Sequence, residues 1–189
     1  GVELLSRILN WKDRTTCVLF GDGAGAAVLG PAKADGAGIL STRLYTDSSL
    51  VGSLCIPAGG SKERLSAEAL AAQRDKVHMA GQDIFKVAVK NLTSASRSAL
   101  EHAELPASAV RWVVPHQANL RIIAQVAQRL DIPLERFVLN IERYGNTSSA
   151  SIPIALDEAL RDGRIQSGDT VLMCALGAGV SWGSALVRV

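Results

Sequence analysis

Pro115-His116-Gln117-Ala118-Asn119 places an imidazole directly after the apolar run Val110-Arg111-Trp112-Val113-Val114 and before an amphipathic segment, so His116 stands where a buried strand ends. In open α/β sheets, clefts form beyond the carboxyl ends of the strands, where the next helix presents free N–H groups. A histidine there can serve as acid, base or neutral donor, although capping a neighbouring carbonyl is its commoner duty. Tyr144-Gly145-Asn146-Thr147-Ser148-Ser149-Ala150-Ser151 repeats the arrangement after the run Phe137-Val138-Leu139. Gly145 permits a left-handed backbone, Asn146 carries an amide that donates, and the Ser/Thr cluster supplies helix N-caps. A capping turn accounts well for Ser148, Ser149 and Ser151, and less well for Asn146. Two donors at strand ends point to one pocket. A third stretch, Leu176-Gly177-Ala178-Gly179-Val180-Ser181-Trp182-Gly183, lies between two apolar runs. It reads as a tight turn between antiparallel strands, and an exposed glycine N–H is also what an oxyanion pocket uses.

The elements that would hold these residues follow from periodicity. Strands are predicted at Thr16 to Phe20, Ala26 to Leu29, Gly38 to Thr46, Val110 to Val114, Arg136 to Asn140, Thr170 to Ala175 and Ser184 to Val189. A helix runs to about His102 after Met79-Ala80-Gly81, with Ile84, Ala88, Leu92, Ala95 and Ala99 on its inner face and Lys86, Lys90 and Arg97 on another stripe. A second, Leu120 to Leu130, is predicted to bury Leu120, Ile123, Val126, Ala127 and Leu130 and to turn Arg121, Gln125, Gln128 and Arg129 outward. A third spans the region around Ile154 to Leu160, with Gly163 as a C-cap. Asp47 to Ala67 reads as a loop. Gly21-Asp22-Gly23-Ala24-Gly25-Ala26 fits a dinucleotide fingerprint, but Gly30-Pro31 cuts off the helix such a loop must open, so a β-hairpin is predicted instead.

Composition narrows the function classes. The chain has 189 residues, 48% of them apolar, and a formal net charge of +2. That suffices for a substantial core and implies no general polyanion-binding surface, and no nucleic-acid signature is present. No apolar run is long enough to cross a bilayer and the first residues lack a secretory pattern, so the cytoplasm is expected. Cys17, Cys55 and Cys174 are odd in number and lack metal-ligand spacing, which points to reduced thiols and to no metal site.

Read together, these motifs resemble the C-terminal portion of the β-ketoacyl-acyl carrier protein synthase III family, condensing enzymes of the thiolase superfamily. The resemblance is carried by Gly21-Asp22-Gly23-Ala24-Gly25-Ala26-Ala27-Val28-Leu29, Met79-Ala80-Gly81 with Phe85-Lys86-Val87-Ala88-Val89, Val114-Pro115-His116-Gln117-Ala118-Asn119-Leu120-Arg121, Gly145-Asn146-Thr147-Ser148 and Trp182-Gly183-Ser184-Ala185-Leu186-Val187. These stand in the family's order across nearly the whole chain.

The resemblance implies a layered α/β, thiolase-like fold, with residues 1–30 ending the N-terminal half and residues 31–189 forming the C-terminal half. It implies decarboxylative condensation of an acyl-CoA primer with malonyl-acyl carrier protein, by a homodimer that needs no cofactor. His116 and Asn146 would donate to the thioester oxygen of the developing enolate. Gly177 N–H would join the oxyanion hole of acyl transfer. Met79, Gly81, Phe85, Ala118, Asn119 and Leu176 would line the pantetheine and acyl path, and Gln117, Arg121, Arg129 and Lys86 would meet an acidic carrier protein. None of the three cysteines matches the family's nucleophile motif. Together with an opening Gly1-Val2-Glu3, this suggests a chain that starts inside a larger protein. Leu176, Ala178 and Tyr144 depart from the residues common at their positions. They leave room for a related synthase of secondary metabolism, primed with longer or aromatic acyl groups. A folded binding or scaffold module without activity is the non-enzymatic alternative.

Overall fold

The computed structural model describes residues 1–32 and 36–189. In chain order its strands are β1 (Val2–Glu3), β2 (Gly23–Ala24), β3 (Gly38–Thr46), β4 (Leu54–Cys55), β5 (His78–Met79), β6 (Trp112–Pro115), β7 (Thr170–Gly177) and β8 (Ser181–Arg188). Its helices are α1 (Ala67–Ala71), α2 (Gly81–His102), α3 (Leu120–Leu130), α4 (Ile141–Tyr144) and α5 (Ser151–Arg161). The main sheet has the order β3-β8-β7-β6, with β6 and β7 parallel and the other neighbours antiparallel. Two short ladders, β1 with β2 and β4 with β5, stand apart from it.

The strand pleat sorts side chains onto two faces, and each face has its own helices. Val113 and Leu172 join Ile84, Leu92, Ile123 and Val126 beneath α2 and α3. Their neighbours Val114 and Val171 pack with Ala155 and Ala159 of α5 on the other side. Strands buried on both faces read as unbroken apolar runs, which is why β6 and β7 stand out in the sequence. All five residues predicted for the inner face of α2 are buried.

Several expectations require correction. Thr16 to Phe20 is not a strand. The Asp13 side chain accepts from Thr15 N and from the Thr15 and Thr16 hydroxyls, and its carbonyl takes the N–H groups of Thr16 and Cys17, so local bonds replace a ladder. Ala26 to Leu29 forms no strand either, with Val28 fully exposed, and the predicted hairpin gives way to the pairing of β2 with β1. Arg136 to Asn140 makes only a single bridge, Phe137 to Val113, after a 3₁₀ turn at Leu134–Arg136. There the Gln117 side chain takes over the partner's work, donating to Val138 O and accepting from Asn140 N. The Asp47 to Ala67 stretch holds a 3₁₀ segment at Ser48–Ser53, then β4, and Ser66 caps α1. In α3, Leu120 is 49% exposed and Ile122 is buried in addition to the predicted stripe. A first-turn side chain leans back past its helix end, where Leu120 finds no cover.

Candidate functional site

His116 follows the last residue of β6, and its N–H donates to Cys174 O of β7 at 2.8 Å, extending the parallel ladder by one bond. The imidazole Nδ1 lies 2.6 Å from Ser151 Oγ, at the start of α5. Burial pushes its pKa down from the ordinary 6.5 to about 4, while the residue as a whole keeps some exposure and lines a cavity. The ring is therefore neutral at physiological pH.

Asn146 is held by three bonds. Its N–H donates to Leu19 O and its carbonyl accepts from Gly21 N, so residues 19–21 run beside the turn. Its side-chain Oδ1 accepts from Ser148 N at 2.8 Å, which fixes the amide's orientation and leaves the NH₂ as the end free to donate. Close backbone approach makes this possible. A Cβ on Gly21 would sit 2.1 Å from Tyr144 O, and Gly145, at φ +66°, would bring a Cβ within 2.9 Å of Leu19 O. The glycine-rich stretch that imitates a nucleotide loop is thus a packing surface for the Asn146 turn. Behind that turn, Glu158 accepts from Asn140 Nδ2, Arg143 and the Tyr144 hydroxyl. Burial pushes the Glu158 carboxyl up, but these partners outweigh it and hold it below the usual carboxylate range.

His116 and Asn146 open on one cavity of about 990 Å³, walled mainly by apolar side chains such as Leu5, Phe20, Leu44, Tyr45, Met173 and Trp182. Leu176 and Gly177 line it as well. Gly177 closes β7, and the turn Ala178–Val180 leads into β8 as the glycine pattern predicts. Neutral donors facing an apolar cavity suit a reaction that builds negative charge on a substrate oxygen.

The other predicted residues fall elsewhere. Met79 and Phe85 pack against the core under α2 and α3, as does Ala118. Gly81 is exposed at the start of α2, and Asn119 caps α3 by accepting from Arg121 N. None of these five is among the residues lining the cavity. Lys86, Arg121 and Arg129 are exposed. Gln117 is fully buried and spends its side chain on Pro115 O, Val138 O and Asn140 N, so it cannot meet a carrier protein at the surface.

The serine cluster also differs from a set of helix caps. Ala150, without a side-chain bond, is the N-cap of α5, Ser149 Oγ donates to Glu3, and Ser151 turns to His116. In the sequence Ser151 reads as one of the caps; three serines in four residues exceed what one helix start can use, and that surplus is the signal that could have found it. Cys174 is buried and its thiol is pushed up to about 11, the reverse of an activated nucleophile. Among the described residues, no three His, Cys, Asp or Glu side chains are gathered to hold a metal ion, and no helix is long and apolar enough to cross a membrane.

Residues 100–189 match the family described as 3-oxoacyl-(acyl-carrier-protein) synthase III C terminal, and residues 1–48 match 3-oxoacyl-(acyl-carrier-protein) synthase III. A β-ketoacyl-(acyl-carrier-protein) synthase III of Clostridioides difficile is 47% identical across this whole chain, and that of Paramagnetospirillum magneticum is 49% identical. The chain spans 57% of the length of each. Among solved structures, the 3-oxoacyl-(acyl-carrier-protein) synthase III of Aquifex aeolicus superposes with a TM-score of 0.87 at 43% identity, over all of this chain and 56% of that one. The priming β-ketosynthase of a polyketide biosynthetic pathway gives a TM-score of 0.87 at 35% identity, over 55% of its chain.

Proposed function

Because the chain belongs to the 3-oxoacyl-(acyl-carrier-protein) synthase III family, we propose that it forms the decarboxylating side of a condensing enzyme. In the full-length protein the reaction joins an acyl-CoA primer to malonyl-acyl carrier protein and begins fatty-acid synthesis. The malonyl C–C bond breaks, carbon dioxide leaves, and the electron pair passes to the thioester oxygen. His116 and Asn146 donate to that oxygen as its charge develops. The enolate carbon then attacks the acyl group carried on a cysteine outside these residues, and the cysteine thiolate departs.

One observation carries this reading. Two donors from distant turns open on a single cavity, and the Asn146 side-chain Oδ1 is already engaged by Ser148 N, which leaves its NH₂ for substrate. Interactions realised only as charge forms lower the barrier rather than merely tightening binding. Gly177 N–H completes the oxyanion hole of acyl transfer, with Leu176 beside it on the acyl path. The family resemblance alone assigns Met79, Gly81, Phe85, Ala118 and Asn119 to the pantetheine arm, which would then run outside the cavity that His116 and Asn146 line. Exposed Lys86, Arg121 and Arg129 steer an acidic carrier protein, an attraction that weakens with salt. The family resemblance further supports a cytoplasmic homodimer, with residues 1–30 and 31–189 belonging to the two thiolase-like halves. The names of the curated relatives favour fatty-acid initiation over secondary metabolism or an inert scaffold.

The test is malonyl thioester decarboxylation by the full-length protein. His116→Ala and Asn146→Ala are each expected to lower kcat by about 10²–10³. Unchanged turnover in both contradicts the proposal.

A further inference from the structure

We propose that Ser151 is a positioning residue whose hydroxyl donates its hydrogen to His116 Nδ1, holding the imidazole in the tautomer that carries its hydrogen on Nε2. The inference rests on the donor role of His116 proposed above. Only that tautomer lets Nε2, which has no hydrogen-bond partner among the described residues, donate to a substrate oxygen.

The geometry is a problem in allocating one hydrogen. A serine hydroxyl has a single hydrogen and two lone pairs. Three polar atoms surround Ser151 Oγ: His116 Nδ1 at 2.6 Å, Ser148 O at 2.8 Å and Gln117 N at 3.3 Å. Gln117 N–H can only donate, so it takes one lone pair. Were the hydroxyl hydrogen directed to Ser148 O, Nδ1 would have to carry the ring's hydrogen and Nε2 would be a bare acceptor facing the substrate oxygen, lone pair to lone pair. Ser148 O, however, already accepts the backbone N–H of Ser151. The imidazole nitrogen is the closer acceptor, is the stronger base, and has no other donor among the described residues. Burial keeps the ring neutral, so it has one hydrogen to place and the hydroxyl decides where.

The tautomer is read directly from long-range ¹H–¹⁵N imidazole correlations of the ¹⁵N-histidine-labelled full-length protein at neutral pH, with the His116 signals identified by their loss in His116→Gln. The wild type is expected to show His116 in the Nε2–H form. Ser151→Ala is expected to move it to the Nδ1–H form or a mixture, and to lower decarboxylation kcat by about tenfold or more. A wild-type His116 in the Nδ1–H form overturns the proposal, as does a Ser151→Ala spectrum identical to wild type. The wild-type spectrum is decisive whether or not the variant folds. A tautomer that moves while turnover holds would sustain the role of Ser151 and overturn instead the reading of His116 as a donor.

Discussion

Asn146→Asp tests the donor reading with a near-isosteric change. The Asn146 Oδ1 accepts from Ser148 N at 2.8 Å, and aspartate supplies an oxygen for the same bond. What changes is the atom left over: an NH₂ that donates becomes a carboxylate oxygen that can only accept. Loss of one preorganised donor costs about 2.7–4 kcal/mol of barrier, or about 10²–10³ in kcat, and repulsion between carboxylate and enolate adds to it. The assay follows conversion of malonyl to acetyl thioester by mass spectrometry in the full-length protein, with thermal unfolding measured alongside. The pH dependence supplies the internal control. Protonated aspartic acid regains an O–H donor, so the deficit of Asn146→Asp should shrink as pH falls toward its carboxyl pKa, while that of Asn146→Ala stays constant. His116 is present in both variants, so the difference between their pH profiles reports on residue 146. A folded Asn146→Asp enzyme within threefold of wild type at pH 7.5, or one no more pH-sensitive than Asn146→Ala, refutes the reasoning.

Two further outcomes concern the fold that carries the site. The His116 pKa falls from 6.5 unfolded to about 4 folded, so between these values the unfolded chain binds the additional proton and stability rises with pH. The contribution is complete above 6.5 and is lost on acidification toward pH 4, in total about 3 kcal/mol. Denaturant titrations at pH 7 and 4.5 should show this slope in wild type and a shallower one in His116→Gln, and equal slopes would exclude it. Gly21→Ala should destabilise the protein by about 1–3 kcal/mol and loosen the Asn146 turn, since its Cβ would meet Tyr144 O at 2.1 Å. Gly177→Ala, with nothing within 4 Å of its Cβ, should leave the stability of the 189-residue chain unchanged, and chemical denaturation of both variants separates the two positions.

The pattern of apolar runs delimited β3 to the residue and located the buried core of α2, because a strand's period of two and a helix's period of 3.6 are local properties written along the chain. It failed where bonds to sequence-distant groups, or to a residue one turn back in the chain, replaced a ladder. Thr16 to Phe20 has strand composition, yet Asp13 captures its backbone. Arg136 to Asn140 has it too, yet the Gln117 side chain stands where a neighbouring strand would. Gln117 itself was misplaced for the same reason. A glutamine beside a candidate catalytic residue looks like surface until the packing of β6 against residues 138–140 encloses it.

Sequence alone determined which residues could donate. His116 and Asn146 each sit after an apolar run, and their types and spacing carry the family resemblance without any coordinate. Only the tertiary structure decided that they open on one cavity and that Ser151 reaches the imidazole. The reason is physical. Donor capacity belongs to a side chain's own chemistry, whereas the direction of donation is set by whichever groups have already claimed its other atoms, and for His116 that group, Ser151, arrives through space from 35 positions away.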